Sequence, residues 1–172
     1  MKTMFCLLVL LATSLSVYVQ GEKQSRSDED YRVRTLREVT TLQPDYIAKE
    51  IAAKPDEKLR IIVHADLLPS RIKVHYDGET RPLVEDKKNL IIQWVNRLPG
   101  IPDLYTVAYQ NETLFTDDGE SHWLVVKKEF LPLFEQELKK GDTVELFLIK
   151  MGNIRIADKL EPVLLVEKFV KQ

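Results

Sequence analysis

Hydrophobic and polar residues alternate over two short stretches, residues 59–66 and 71–77. Side chains two residues apart in a strand point to the same face, so the alternation predicts two strands with one buried face each. The buried positions would be Ile61, Val63, Ala65, Ile72, Val74 and Tyr76. We expect residues 67–70 to join the two strands as a hairpin, and Asp77-Gly78 to form a turn after the second strand.

Three other stretches place hydrophobic residues at helical spacing. Residues 44–53 begin with a proline and an aspartate, which favour a first helical turn. Residues 85–98 start with acidic side chains and predict a second helix, with a strand over residues 90–95 as the alternative. Residues 129–140 have a proline in the first turn and lysines in the last, and the predicted helix stops at Gly141.

Two prolines around a glycine, in residues 99–102, mark the best candidate for a boundary in the chain. Five further strands are predicted after it, at residues 104–109, 113–116, 123–127, 143–151 and 162–169, with turns at residues 110–111 and 117–119. The order of three strands, one helix and two strands is that of a small OB-like or SH3-like β-barrel. An open α+β sheet is the alternative.

The predicted fold class is α+β, with the OB-like β lobe at residues 101–172 and a smaller lobe of helix, strand, strand and helix at residues 43–98. Residues 22–42 are interpreted as a flexible leader, because their first nine residues include no hydrophobic side chain. Residues 1–21 combine an early lysine, a 15-residue apolar run and a terminal glycine, which predicts a secretory signal peptide. A membrane anchor is disfavoured because a spanning helix needs about 20 apolar residues.

Cleavage near Gly21 would give a secreted or periplasmic protein without stable membrane insertion of the mature chain. It would remove Lys2 and no acidic residue, so the net charge would change from −2 to −3. A nucleic-acid partner is therefore disfavoured. Cleavage would also remove Cys6, the single cysteine, which excludes disulfides, thiol catalysis and cysteine-ligated metal sites in the mature chain.

A doubled His-x-Asp pattern is the candidate metal site. His64 and Asp66 lie on the first predicted hairpin strand, and His75 and Asp77 lie on the second. Residues two apart share a face of a strand, so a suitable register would bring two imidazoles and two carboxylates together. Such ligands suit zinc or another divalent metal. The alternative is a solvated face of cross-strand ion pairs, which needs no metal.

Other motifs have simpler interpretations. Residues 117–120 (DDGE) lack the ligand spacing of a calcium loop and predict a hairpin turn. Ser121 and His122 are adjacent in a predicted strand and point to opposite faces, which disfavours a nucleophile and base pair. Asn111 begins a glycosylation sequon at a predicted surface turn. Four aromatic residues are expected to pack in the core: Trp123, Phe130, Phe134 and Phe147.

The segments HWLVV at residues 122–126 and PLFEQELKKGDTVELF at residues 132–147 resemble uncharacterised exported bacterial proteins. The resemblance implies export and a similar fold, and it carries no known activity or functional residues. Because no catalytic motif is present, we expect a non-catalytic exported binding or structural module whose partner is an exported protein or a small ligand. The alternative is a metal-dependent enzyme or metal carrier using the doubled His-x-Asp pattern.

Overall fold

The computed structural model describes residues 26–41, 49, 61–63, 69–97, 104–156 and 159–172. Its strands are β1 (Arg32–Val33), β2 (Ile61–Val63), β3 (Ser70–Pro82), β4 (Tyr109–Asp117), β5 (Glu120–Lys127), β6 (Thr143–Ile156) and β7 (Lys159–Lys171). Its helices are α1 (Leu36–Thr41), α2 (Glu85–Arg97), α3 (Leu104–Ala108) and α4 (Leu131–Glu137). Short 3-10 turns occupy Asp28–Asp30 and Lys128–Phe130. No helix of the described residues is long and apolar enough to cross a membrane.

The fold is α+β, with one mixed sheet in the order β1-β3-β4-β5-β7-β6-β2. An additional pairing between β3 and β6 closes five of these strands, β3, β4, β5, β7 and β6, into a ring. Within the ring, β5 and β7 are parallel and the other neighbours are antiparallel. The turn between β4 and β5 was predicted from Asp-Gly, and Asp118 and Gly119 adopt positive φ angles of 48° and 80° there.

The inner face of the ring carries one hydrophobic core, to which all five strands contribute. Alternate residues of β6 and β7 point inward, for example Leu146 and Leu148 of β6 and Leu164 and Val166 of β7. Segments outside the ring reach its interior only through an open end. Leu36 and Val39 of α1 and Phe134 of α4 belong to this core, so these helices cover the ends of the ring.

A second core lies on the outer face of β5, β6 and β7. The residues between the inward-pointing ones, such as Val125, Ile149 and Leu165, pack here against Trp94 and other side chains of α2. These strands are therefore apolar on both faces, and their sequences read as nearly continuous hydrophobic runs. The helix predicted at residues 85–98 is confirmed as α2, and the helix predicted at residues 129–140 is confirmed as the shorter α4.

The predicted hairpin is wrong. Both β2 and β3 pair antiparallel with β6, at residues 152–154 and 143–148 respectively, so β2 and β3 run in the same direction. Gly78, where a turn was predicted, lies inside β3 with a φ of +86°, beside a register shift between Tyr76 and Thr80. Alternation identified the buried face of β3, where Ile72, Val74 and Tyr76 are buried, but it carries no information about which distant strand becomes the partner.

Other predictions also differ from the structure. Residues 104–108 form α3 and not a strand, and the strand predicted to end at residue 116 begins at Tyr109 and passes through Asn111 without a turn. Residues 31–41 of the predicted leader are ordered because Tyr31, Leu36 and Val39 are buried. The sheet also crosses the predicted boundary at residues 99–102, since β3 and β4 pair with each other. The predicted signal peptide and the helix at residues 44–53 lie outside the described residues, apart from position 49.

Candidate functional site

The outer face of β3, β4 and β5 carries a group of charged and aromatic side chains that we call the Trp123 site: Arg81, Lys87, Glu112 and Trp123. In the sheet, Arg81 is opposite Glu112, and Glu112 is opposite Val125. Trp123 is two residues before Val125 and therefore points to the same face. Because Val125 belongs to the outer core, this is the outer face of the ring.

Glu112 is the centre of the Trp123 site. Its side chain has no exposed surface, and its Oε2 atom accepts a hydrogen bond of 3.0 Å from Nε of Arg81. Its Oε1 atom accepts a hydrogen bond from Nζ of Lys87, a residue that is 1% exposed in the first turn of α2. A buried carboxylate is stable only with such partners, because burial removes the water that would otherwise solvate its charge.

Arg81 lies over the indole of Trp123. The Cζ atom of Arg81 is 4.0 Å from the centre of the Trp123 ring, which is the geometry of a cation–π contact. The ion pair at Nε and the ring contact fix the plane of the guanidinium. Its side chain is nevertheless 38% exposed, and within the described residues its terminal nitrogens make no hydrogen bond or ion pair. Lys87 supports the same strand by approaching the backbone oxygen of Trp123 at 3.5 Å.

The two partly exposed groups of the site, Arg81 and Trp123, offer hydrogen-bond donors and an aromatic face but no group that exchanges protons at ordinary pH. An arginine stays protonated at all ordinary pH values, and an indole carries no acid or base function. What the site does present is a fixed, partly exposed guanidinium beside a half-buried aromatic ring. Arginine and tryptophan are the residue types most often found at the energetic centre of binding surfaces.

The structure describes two of the four predicted metal ligands, His75 and Asp77. His75 is exposed on β3, and its Nδ1 atom is 3.4 Å from Oγ1 of Thr143 on β6. Asp77 forms a 2.5 Å ion pair with Lys140. His64 and Asp66 lie outside the described residues. Among the residues that are described, no group of three or more His, Cys, Asp or Glu side chains could hold a metal ion.

A small pocket lies between the start of α1 and the turn joining β4 to β5. It has a volume of about 50 Å³ and is lined by Leu36, Arg37, Asp117, Asp118, Glu120 and His122. Asp117 has a structural role there, because its Oδ2 atom accepts a 3.1 Å hydrogen bond from the backbone N–H of Leu36. The hydroxyl group of Ser121 lies 2.9 Å from the hydroxyl group of Thr116, so its hydrogen-bond partner is Thr116 and not His122. Organic ligands need roughly 300 Å³ or more, so this pocket is too small for them.

Another polar cluster joins residues 26–31 to β7. Glu167 accepts a 2.8 Å bond from Arg26 and a 2.5 Å bond from the hydroxyl of Tyr31. Burial and the hydrogen bond to Glu167 raise the pKa of Tyr31 well above its ordinary value. Burial also raises the pKa of Tyr109. These groups stay neutral or paired at physiological pH, and the cluster is structural.

The Trp123 site was not predicted from the sequence, where Trp123 was assigned to packing. One signal for it exists in α2, because Lys87 precedes Ile91 by four residues and Trp94 by seven and therefore lies on the apolar face of the helix. A charged residue in such a position needs a buried partner. Phe130, Phe134 and Phe147 are buried, as predicted for them. A comparison with protein-family models finds no match to this chain, and a comparison with curated proteins finds none either.

Proposed function

We propose that this protein is an exported, non-catalytic binding module built on an OB-like barrel, with the Trp123 site as its ligand-binding surface. The single observation that carries the proposal is the fixed position of Arg81 over Trp123, anchored by a buried carboxylate. Anchoring of this kind lowers the entropy lost when a surface side chain is ordered by a ligand.

The strand order supports the OB-like part of the proposal. The ring order β3-β4-β5-β7-β6, with α4 between β5 and β6, matches five strands with a helix between the third and fourth. In OB-like barrels the face formed by the second and third strands binds oligonucleotides and oligosaccharides. Here those strands are β4 and β5, which carry Glu112 and Trp123. The proposed export favours a saccharide over a nucleic acid.

The test is binding of the purified mature chain to an array of neutral and acidic oligosaccharides, followed by calorimetry on any glycan that binds. Trp123→Ala should weaken that binding by at least about tenfold, because truncating a central aromatic residue commonly removes more than 1 kcal/mol. Leu133→Ala is the control, since Leu133 is 37% exposed on α4, outside the Trp123 site. Binding that is unchanged by Trp123→Ala, or an array on which the wild-type chain binds no glycan, would refute the proposal.

A further inference from the structure

Resting on the proposed function, we infer that the ligand is an acidic glycan and that the terminal nitrogens of Arg81 bind its carboxylate or sulfate group. The inference starts from the charges of the Trp123 site. Arg81 and Lys87 carry two positive charges, and Glu112 carries one negative charge. Lys87 and Glu112 are 1% and 0% exposed, so the remaining positive charge is presented to solvent through Arg81.

The geometry of Arg81 suits an anion with two oxygens. Its Nε atom donates to Glu112, which leaves the two terminal nitrogens at the outer edge of the guanidinium. A guanidinium edge binds a carboxylate or sulfate through two parallel hydrogen bonds, whereas a lysine offers a single ammonium point charge. The indole of Trp123 shields one face of the guanidinium from water, which strengthens its interaction with an anion.

Two acidic side chains near Arg81 already have cationic partners. On the same strand, Asp77 is already paired with Lys140 at 2.5 Å. Glu112 is buried, and its two oxygens are both occupied by cations. An acidic ligand therefore meets the one net positive charge of the group formed by Arg81, Lys87 and Glu112.

The experiment measures binding of the mature chain to three polysaccharides: polygalacturonate, which has carboxylates, dextran sulfate, which has sulfates, and neutral dextran. We expect binding to at least one anionic polymer, with an affinity that falls as salt increases, and no binding to dextran. Arg81→Lys keeps the charge but loses the two-nitrogen edge, so it should weaken binding about tenfold. Arg32→Lys, at an exposed position on β1, is the matched control and should bind as the wild type does.

The outcomes separate this inference from the proposed function. Equal binding of dextran and the anionic polymers, still dependent on Trp123, would overturn the anionic ligand and keep the binding function. Equal affinity of wild type and Arg81→Lys for the anionic polymers would overturn the role of the guanidinium edge. A single-stranded oligonucleotide is measured under the same conditions, and its binding in preference to both anionic polysaccharides would also overturn the acidic glycan. Unfolding midpoints of both lysine variants show whether a lost affinity reflects lost folding.

Discussion

Lys150 gives the sharpest test of the fold, because it is a charged residue inside the ring. It is 1% exposed, and it follows the inward-pointing Val144, Leu146 and Leu148 at intervals of two residues along β6. Its ammonium group donates to the backbone oxygens of Val39 at 3.3 Å and Thr40 at 2.8 Å. These carbonyls belong to the last turn of α1, where a positive charge is favoured.

Burial lowers the pKa of Lys150 to about 8, whereas an unfolded lysine has a pKa of about 10.4. Between these two values the unfolded chain binds one proton more than the folded chain does, so stability rises with pH in this window. Below pH 8 both states are protonated, and the folded state carries a penalty of roughly 3 kcal/mol from the buried charge. Between pH 7 and pH 9.5 the penalty should shrink by about 2 kcal/mol.

The perturbation is Lys150→Met, which keeps the length of the side chain and removes the titrating group. Urea unfolding of both chains, followed by circular dichroism at several pH values from 7 to 9.5, gives the free energy of unfolding for each. The wild type should gain about 2 kcal/mol relative to Lys150→Met across this range. Lys159→Met, at an exposed position on β7, is the control and should show no such trend. Tyrosines with raised pKa values are common to all three chains, so they cancel in the comparison.

A constant difference between wild type and Lys150→Met would contradict this reasoning. It would mean that the carbonyl oxygens of α1 solvate the ammonium group as well as water does.

Two other predictions concern single contacts. Glu112→Gln leaves the buried Lys87 without a charged partner and should lower the free energy of unfolding by roughly 3 kcal/mol. Adding Lys87→Met removes the unpaired charge and should recover part of that loss. Denaturant unfolding of the single and the double variant measures both free energies. A double variant less stable than Glu112→Gln alone would be inconsistent with that account. Asp117→Asn weakens the hydrogen bond from the N–H of Leu36 and should lower the free energy of unfolding by about 1 kcal/mol. The neighbouring Asp118→Asn should be neutral, because asparagine tolerates the positive φ of that position. Equal thermal midpoints for the two variants would count against a capping role of Asp117 at the start of α1.

The sequence predicts elements well where the pattern that forms them is local. The acidic start and apolar face of α2 and the proline in the first turn of α4 are properties of neighbouring residues, and both helices form. The start of α1 has a local signal as well. Thr35 and Glu38 form a capping box, with bonds of 2.7 Å and 3.2 Å, and the sequence T-x-x-E is typical of such a start.

Pairing between strands depends on residues far apart in the chain, and here the sequence is a poor guide. His75 lies opposite Thr143 and Thr116, which are 68 and 41 positions away, and nothing in the alternation of β3 identifies either neighbour. The Trp123 site has the same origin, because it joins the end of β3, the start of α2 and the facing strands β4 and β5. A site assembled by tertiary contacts in this way leaves only isolated anomalies in the sequence.

Two such anomalies are buried lysines, and their different partners explain why we assign them different roles. Each lies on an apolar face, Lys87 in α2 and Lys150 in β6, where an unpaired charge would be strongly destabilising. Lys150 donates to backbone carbonyls of α1, so its charge holds α1 over the end of the ring. Lys87 meets a carboxylate that also holds an arginine at the surface. Hydrophobic residues of similar size often replace a buried ion pair without loss of stability, so fold stability alone does not account for the second arrangement. We propose that the arrangement positions Arg81 for a ligand.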